Sequence, residues 1–227
     1  MSGSVIFEER IEVPLDLRSL AEFRRWAFSD DFPQRARIDY INGRVEVDIS
    51  PEEVYSHGTL KSEIHGVLWN RVKSGRLGDI FVDGTRISCS AANLSAEPDI
   101  VLVSHQSLDE VRVKLVPKAS GEPGRYVELE GGPDLIVEIV SDSSVVKDTQ
   151  RLPVAYFAAG VREFWLADAR GDELLFRIHR RGKTEFEPVD VNDDGFQRSQ
   201  VMESNYQLTR SWDQRGRWEF DLLESPS

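Results

Sequence analysis

An apolar run with one carboxylate at its centre constrains the fold of this chain more than any other stretch. Residues 133–142 read Pro-Asp-Leu-Ile-Val-Glu-Ile-Val-Ser-Asp, and Glu138 stands among apolar, mostly β-branched neighbours. Apolar residues on both faces are typical of a central strand that is covered by helices on both sides. Burying an unpaired carboxylate costs several kcal/mol unless a metal, a cation or a hydrogen-bond donor compensates it. Glu138 is therefore either a hydrogen-bonded structural residue or part of a functional site.

Composition narrows the class of protein. The 227 residues are 40% hydrophobic, which suits one domain with a sizeable core. The net charge of −12 argues against a protein that coats nucleic acid, because phosphate affinity comes from clustered Lys and Arg, so any polyanion site must be local. The single cysteine, Cys89, excludes an internal disulfide framework and fits a reducing compartment. The chain has no apolar run of about 18 residues and no leader pattern at its start, so we expect a soluble, cytoplasmic protein.

Two local signals organise the first part of the chain. Residues 16–28 place apolar side chains at roughly helical spacing behind a cap at Asp16, which predicts a short packing helix. Asn42-Gly43 lies between two alternating segments, and this dipeptide is the strongest short-range signal for a two-residue turn. It predicts a β-hairpin over residues 37–49.

The next predicted helix brings a histidine toward the sheet. Ser50 is its expected cap, with Pro51 at the first position and Glu53 closing a capping box. Apolar residues from Leu60 onward form one helical face, and His57 falls on that face about one turn earlier. His57 is thus expected to point at the sheet, either as a packed or capping histidine or as part of a site.

Short strands and loops follow. Residues 79–89 are predicted to form a strand, and the small, polar residues 90–97 a loop. The segment 98–103 is a second buried-strand pattern, and it opens with Asp99, which is either a turn aspartate after proline or a functional carboxylate. Residues 104–132 contain several glycines and two prolines and are predicted to form a long loop or flap.

The pattern after Glu138 predicts a parallel pair of strands. Residues 143–159 are expected to be helical and to stop at Gly160, with Pro153 either kinking the helix or delaying its start. A further strand follows at 162–168. A strand, a helix and an adjacent strand in this order indicate a right-handed crossover.

Basic residues cluster in the predicted flap and in a predicted hairpin over 174–191. A solvated surface is one interpretation of such clusters, and a phosphate-facing surface is the other. The Asp-rich segment 190–195 matches the opening of a calcium loop but lacks the required glutamate, so a hairpin turn is the better interpretation. The candidate nucleic-acid-binding residues are Arg112, Lys114, Lys118, Arg177 and Arg180.

The carboxylates of two neighbouring strands can meet. Asp99 at the mouth of one strand and Glu138 inside the next, with His57 approaching from the helix packed across them, would form a pocket of hard ligands for Mg²⁺. A bound cation would offset the cost of burying Glu138, and its water is a suitable nucleophile for a phosphodiester.

Five sequence blocks resemble the Uma-type restriction endonucleases, a bacterial family of the PD-(D/E)xK nuclease superfamily. The blocks are Tyr40-Ile-Asn-Gly-Arg-Val-Glu-Val, His57-Gly58, Glu97-Pro-Asp-Ile-Val-Leu-Val, Pro133-Asp-Leu-Ile-Val-Glu-Ile-Val-Ser, and Tyr156-Phe-Ala-Ala-Gly-Val-Arg-Glu-Phe-Trp-Leu-Ala-Asp. The resemblance implies a restriction-endonuclease-like α/β core, with a mixed central sheet flanked by helices and β-hairpin additions. It also implies Mg²⁺-dependent cleavage of DNA, with Mn²⁺ as a substitute, at a metal site formed by Asp99 and Glu138.

One part of the family pattern is missing. The superfamily lysine would stand at Val140, and the lysine typical of this family would stand at Leu152. Lys147 and Arg151 are the neighbouring candidates, and Lys147 is the predicted catalytic cation because Arg transfers protons poorly. A cation beside the attacking water stabilises the charge of the transition state. The alternative is a catalytically degenerate nuclease fold that acts as a DNA-binding or protein-interaction module.

The expected organisation has three parts. Residues 1–36 form an N-terminal packing segment, 37–180 the nuclease-like core, and 181–227 a β-rich extension of the same domain. DNA is the expected partner. The family resemblance, together with the need for two sites in duplex cleavage, also predicts a homodimer.

Overall fold

The computed structural model describes residues 11–33 and 36–226, which form three β-sheets and a small set of helices. The predicted N-terminal packing segment therefore lies partly outside the described residues, as does the start of the chain. Helices are α1 (Leu20–Ala27), α2 (Leu60–Gly75), α3 (His105–Asp109) and α4 (Leu152–Ala159), and π-helical turns precede α2 (Val54–Thr59) and α4 (Lys147–Arg151). Strands are β1 (Arg37–Ile41), β2 (Arg44–Asp48), β3 (Gly78–Val82), β4 (Ile87–Cys89), β5 (Leu94–Ala96), β6 (Ile100–Ser104), β7 (Val113–Pro117), β8 (Tyr126–Gly131), β9 (Leu135–Ile139), β10 (Glu163–Asp168), β11 (Leu175–Arg181), β12 (Phe186–Pro188), β13 (Gln197–Ser199), β14 (Ser204–Trp212) and β15 (Trp218–Ser225).

A six-stranded mixed sheet forms the centre, in the order β12-β11-β10-β9-β6-β3. Strands β9 and β10 are parallel, which confirms the predicted crossover through α4, and the other pairs in this sheet are antiparallel. Helix α2 and the sheet β13-β14-β15 pack on one face, and α4 and part of the sheet β2-β1-β5-β4-β8-β7 pack on the other. Because both faces are covered, every residue of β9 is buried, as its apolar sequence predicts. The mixed α/β class with helices around a central sheet is confirmed.

The predicted hairpin over 37–49 is confirmed. Strands β1 and β2 pair in register around Asn42 and Gly43, and both turn residues have positive φ values, of 47° and 86°. A turn of this type requires left-handed backbone at both positions, which Asn and Gly adopt most easily. The hairpin that was predicted over 174–191 is also present, as β11 and β12.

Three helix starts lie later than predicted. Helix α1 is capped by Ser19 and not by Asp16, and Ser19 accepts a hydrogen bond from the backbone of Glu22. Glu53, not Ser50, caps the π-helical turn before α2 by accepting from the Ser56 N–H. The helix predicted over 143–159 is continuous over residues 145–159, and its π-helical turn at Lys147–Arg151 comes shortly before Pro153.

Three loop and strand boundaries were predicted wrongly. The strand predicted over 79–89 is two strands, β3 and β4, because Asp83 and Gly84 take up positive φ values between them. Strand β5 lies inside the predicted loop 90–97, paired on both sides by β1 and β4. The predicted flap 104–132 contains α3 and the antiparallel pair β7–β8, and Gly121 and Gly124 form only the turn between those strands.

The C-terminal residues complete the packing. The segment 190–195 is a turn, as expected, in which the Gly195 N–H donates to the Asn192 carbonyl. The following sheet packs Tyr206 and Phe220 into the same core as α2 and β10. The division of the chain at residues 36 and 180 stays a prediction. No helix in the described part of the chain is long and apolar enough to cross a membrane.

Candidate active site

The two predicted carboxylates face each other across β6 and β9. These strands pair antiparallel with Ile100 opposite Val137, so the next step of the register sets Asp99 opposite Glu138. The Ile139 N–H donates to Asp99 Oδ2 at 2.7 Å, which fixes the aspartate against β9. Both side chains are buried. The hydrophobic pattern of the two strands is what brings them together, because it places both strands in the middle of the sheet.

Glu138 is held in a setting that opposes ionisation. Burial raises the pKa of Glu138 well above its ordinary value, and the neighbouring Asp99 and Asp148 carboxylates raise it further. The Tyr156 hydroxyl, brought by α4, donates to Glu138 Oε1. Glu138 Oε2 is buried and has no hydrogen-bond partner among the residues that the structure describes. An unpartnered carboxylate oxygen at this depth fits a site that is completed by a cation.

The surroundings of Asp99, in contrast, favour its ionised form. Burial works against its ionisation, but the positive charges of Arg37, His57 when protonated, and Lys61 prevail and hold the pKa of Asp99 below its ordinary value. Arg37 Nη2 donates to Asp99 Oδ1 at 2.8 Å, and Lys61 Nζ lies 3.7 Å from the same oxygen. The pair therefore combines one carboxyl group with a lowered pKa and one with a raised pKa, as two close carboxylates commonly do.

Lys147 reaches the buried cluster. Its Nζ donates to Asp39 Oδ2 at 3.0 Å, and both side chains are buried. Although burial opposes the charge, the carboxylates of Asp39, Glu138 and Asp148 raise the pKa of Lys147, so the lysine is fully charged at neutral pH. Leu152 and Val140, the positions where the family pattern has its lysine, are packed in the interior.

Asp148 is a further titratable group beside the pair. Burial raises the pKa of Asp148 to about 7, against the opposing charge of Lys147 and a hydrogen bond from the Ser144 hydroxyl. Its Oδ1 is buried without a hydrogen-bond partner in the described part of the chain. The site thus holds three carboxyl groups with shifted pKa values, lowered for Asp99 and raised for Glu138 and Asp148.

His57 lies at the opening of the site. It is buried, as the helical pattern predicts, and its Nε2 is 3.7 Å from Asp99 Oδ2 while its Nδ1 is 3.4 Å from Glu52 Oε2. Ligand atoms of Glu52, His57 and Asp99 all lie within 4.8 Å of one another. Asp99 is therefore shared between two candidate ligand sets, one with Glu138 and one with His57 and Glu52.

Four of the five predicted DNA-binding residues lie away from these carboxylates, and Arg177 is the exception. Arg112 is bound to Asp134, which precedes β9 at the end opposite Glu138. Lys114 and Lys118 are on or beside β7, at the opposite edge of its sheet from β1 and β2. Arg180 forms an ion pair with Glu187. In the strand register, Arg177 of β11 lies opposite Leu166 of β10, and Leu166 lies opposite Glu138 of β9. Their role in DNA binding stays a prediction.

Sequence reasoning missed Lys61 and Glu52, which lie beside Asp99 and His57, and four further members of the cluster. Arg37 and Asp39 come from β1, Asp148 from the turn before α4, and Tyr156 from α4 itself. A signal existed for two of them: Asp39 interrupts the buried run of β1, and Tyr156 is a polar-tipped residue on the helix face that packs on the sheet. Nothing in the sequence indicates that Arg37 and Asp99 pair across 62 positions.

The fold and the buried carboxylate pair define a protein of the nuclease-like α/β class. A comparison with solved structures finds "a putative nuclease belonging to DUF820" from Anabaena variabilis, at 22% identity and a TM-score of 0.56, covering 81% of this chain and 90% of the other. No curated protein matches the chain. The family described as "Uma2: Putative restriction endonuclease" matches residues 20–211, and the chain belongs to this family.

Proposed function

We propose that this protein is a metal-dependent endonuclease that hydrolyses phosphodiester bonds in DNA. One observation carries the proposal: Glu138 is buried beside Asp99 with one oxygen unpartnered in the described structure, and Lys147 is a charged neighbour of the same cluster. Membership of the family described as "Putative restriction endonuclease" supports it.

The residues fit a divalent cation. Asp99 and Glu138 supply the hard oxygen ligands that Mg²⁺ and Mn²⁺ prefer, and His57 at the opening is a donor better suited to Mn²⁺ than to Mg²⁺. A bound cation would supply charge stabilisation for the phosphate and a more acidic water. Metal binding would also favour the ionised form of Glu138, against the burial that raises the pKa of this group.

The other side chains orient and balance the charges. Asp39 fixes the Lys147 ammonium group in the cluster, where it can hold a water or donate to a phosphate oxygen. Tyr156 fixes one oxygen of Glu138, so the other oxygen would be available to hold a cation. Arg37 holds Asp99 ionised, as a metal ligand must be.

Calorimetric titration of Mg²⁺ and Mn²⁺, with plasmid nicking in the same buffers, tests the proposal. We expect wild type to bind metal and to nick supercoiled DNA, and Asp99→Asn and Glu138→Gln to do neither. The matched control is Glu163→Gln on the adjacent parallel strand, because Glu163 is also a buried strand glutamate but bonds to Trp165 and to the backbone of Gln200. Glu163→Gln should bind metal and nick as wild type does.

A degenerate fold predicts a different result. The burial of Val140 and Leu152 where lysines are expected favours this second candidate, a DNA-binding or interaction module without catalysis. Folded wild type that binds no metal and nicks no plasmid would exclude the nuclease and leave this second candidate.

We further propose a homodimer in the cytoplasm, with residues 37–180 as the catalytic core. Cleavage of both strands of a duplex needs two sites, which a dimer supplies, and the single cysteine suits a reducing compartment. Light scattering at micromolar concentration should give twice the chain mass of 25.8 kDa. A mass of one chain across that range would contradict the dimer.

A further inference from the structure

A groove of about 880 Å³ lies between the residues that follow β9 and β10, the π-helical turn before α2, and the turn between β14 and β15. His57 lines the groove, and its Nε2 lies 3.7 Å from Asp99 Oδ2, which places the groove beside the candidate site. Trp212 and Trp218, from β14 and β15, also line it. A volume in this range suits a small ligand or one or two nucleotides and not a duplex.

Trp212 and Trp218 give the groove an ordered aromatic surface. Trp212 and Trp218 are stacked, with ring centroids 3.5 Å apart and planes 24° apart. The Arg210 guanidinium lies 3.9 Å from the Trp218 ring, and it is anchored by bonds to the carbonyls of Ala169 and Gly171. Trp212 nevertheless remains 61% exposed. A large aromatic ring that is fixed and yet exposed is suited to stacking on another flat ring.

Two guanidinium groups line the same groove in fixed positions. Arg217 is held by Asp213 through Nε and Nη2, at 2.9 and 2.7 Å, and its Nη1 reaches the Tyr55 hydroxyl at 3.4 Å. Arg170 is held in the same way by Asp168, and its Nη1 reaches the exposed Asp142 at 3.3 Å. Each arginine is therefore held in place by an aspartate, and the paired carboxylates prevent the groove from becoming strongly positive.

We propose that this groove binds the DNA strand beside the scissile phosphate through an unpaired base that stacks on Trp212, with adjacent phosphates at Arg217 and Arg170. The inference rests on the proposed nuclease function, which makes DNA the ligand. Stacking is the interaction that a chain of net charge −12 can use, because it does not depend on a positive surface. The groove would therefore select single-stranded or locally opened DNA.

Fluorescence anisotropy with a labelled single-stranded oligonucleotide in EDTA tests the groove without cleavage. Trp212→Ala and Trp212→Leu should weaken binding about 5- to 150-fold, and Trp212→Phe should retain most of it, because base stacking requires an aromatic ring. The matched control is Trp69→Ala on α2, since Trp69 is an exposed tryptophan that does not line the groove. Trp69→Ala should bind as wild type does, and the same oligonucleotide annealed to its complement should bind less tightly than the single strand.

The outcomes separate this inference from the nuclease proposal. Equal binding by wild type, Trp212→Leu and Trp212→Phe, or no binding of single strands by wild type, would overturn the groove assignment even if plasmid nicking is observed. Binding that requires an aromatic residue at position 212 would support it even if metal titration and nicking both fail. Circular dichroism of each variant confirms that lost binding is not lost folding.

Discussion

At the scale of single residues, Glu138 ties stability to pH. Its folded pKa is raised by burial and by Asp99 above the ordinary value of 4.5, so without metal the folded protein holds a proton that the unfolded chain releases. The contribution of Glu138 to the free energy of unfolding is fully present below about pH 4.5. It is lost as the pH rises toward the pKa that Glu138 has in the folded protein. Glutamine cannot ionise, so Glu138→Gln avoids this loss.

Urea unfolding in EDTA at pH 5 and pH 8 measures the effect. We compare the free energies of unfolding of Glu138→Gln and wild type. The difference should favour the variant by roughly 1 to 3 kcal/mol more at pH 8 than at pH 5, which is the usual cost of an uncompensated buried polar group. Saturating Mg²⁺ should reverse the order, because only wild type binds the ion and ligand binding stabilises the folded state. A gap between the variants that is the same at both pH values would contradict the raised pKa.

The ion pair of Lys147 and Asp39 is the second prediction at this scale. Lys147→Met leaves Asp39 buried and unpaired and should cost about 3 to 5 kcal/mol of folding free energy. Lys147→Arg keeps the positive charge and the fold, but it should slow nicking about 100-fold or more because the planar guanidinium cannot place a donor where the compact ammonium group of Lys147 lies. Urea unfolding and nicking rates measure the two effects separately. Wild-type nicking by Lys147→Arg would leave the lysine with a charge-balancing role alone.

At the scale of secondary-structure elements, local sequence signals predicted the elements that are determined by residues close together in the chain. The Asn42-Gly43 hairpin and the β9–α4–β10 crossover follow from turn chemistry and apolar runs. Strand β5 does not, because Leu94–Ala96 becomes a strand only through its pairing with β1 and β4. The break at Asp83-Gly84 was present in the sequence as a turn dipeptide, but the apolar residues on both sides concealed it.

The close contact between Gly132 and the end of α4 gives a prediction at this scale. A Cβ at Gly132 would lie 2.5 Å from the Ala159 carbonyl oxygen, so Gly132→Ala must push α4 away from the sheet. The loss should be about 1 to 3 kcal/mol, the typical cost of overpacking, and it should weaken metal binding because α4 positions Tyr156 against Glu138. Thermal unfolding and calorimetric metal titration measure the two losses.

Gly66→Ala is the matched control. A Cβ at Gly66 meets no atom within 4 Å, so this change inside α2 should stabilise the protein by about 0.5 to 1 kcal/mol and leave metal binding unchanged. If the two substitutions changed stability and metal binding equally, the close contact between Gly132 and α4 would have no effect on either property.

At the scale of the whole molecule, the sequence predicted the centre of the site better than its surroundings. Asp99, Glu138 and His57 are placed together by strand and helix patterns. Arg37 and Asp39 enter because β1 of one sheet packs beside β6 and β9 of another, a contact between sheets that no local pattern encodes. The groove is likewise built by the C-terminal sheet, whose alternation in sequence indicates strands but not what they pack against.

The distribution of charge over the whole chain makes the last prediction. If single-stranded DNA contacts only Arg170 and Arg217, the logarithm of the binding constant should fall with the logarithm of salt concentration at a slope of about −1.4, since each phosphate contact with a single strand contributes about −0.7. The overall negative charge repels the strand, and salt screens that repulsion, so the slope should be no steeper. Anisotropy titrations between about 50 and 200 mM salt measure it. Arg217→Ala should make the slope shallower, whereas Lys114→Ala/Lys118→Ala should leave it unchanged, because those lysines lie at the far edge of their sheet. A wild-type slope of about −4 or steeper, reduced by the double lysine change, would instead place the strand across the basic residues around β7.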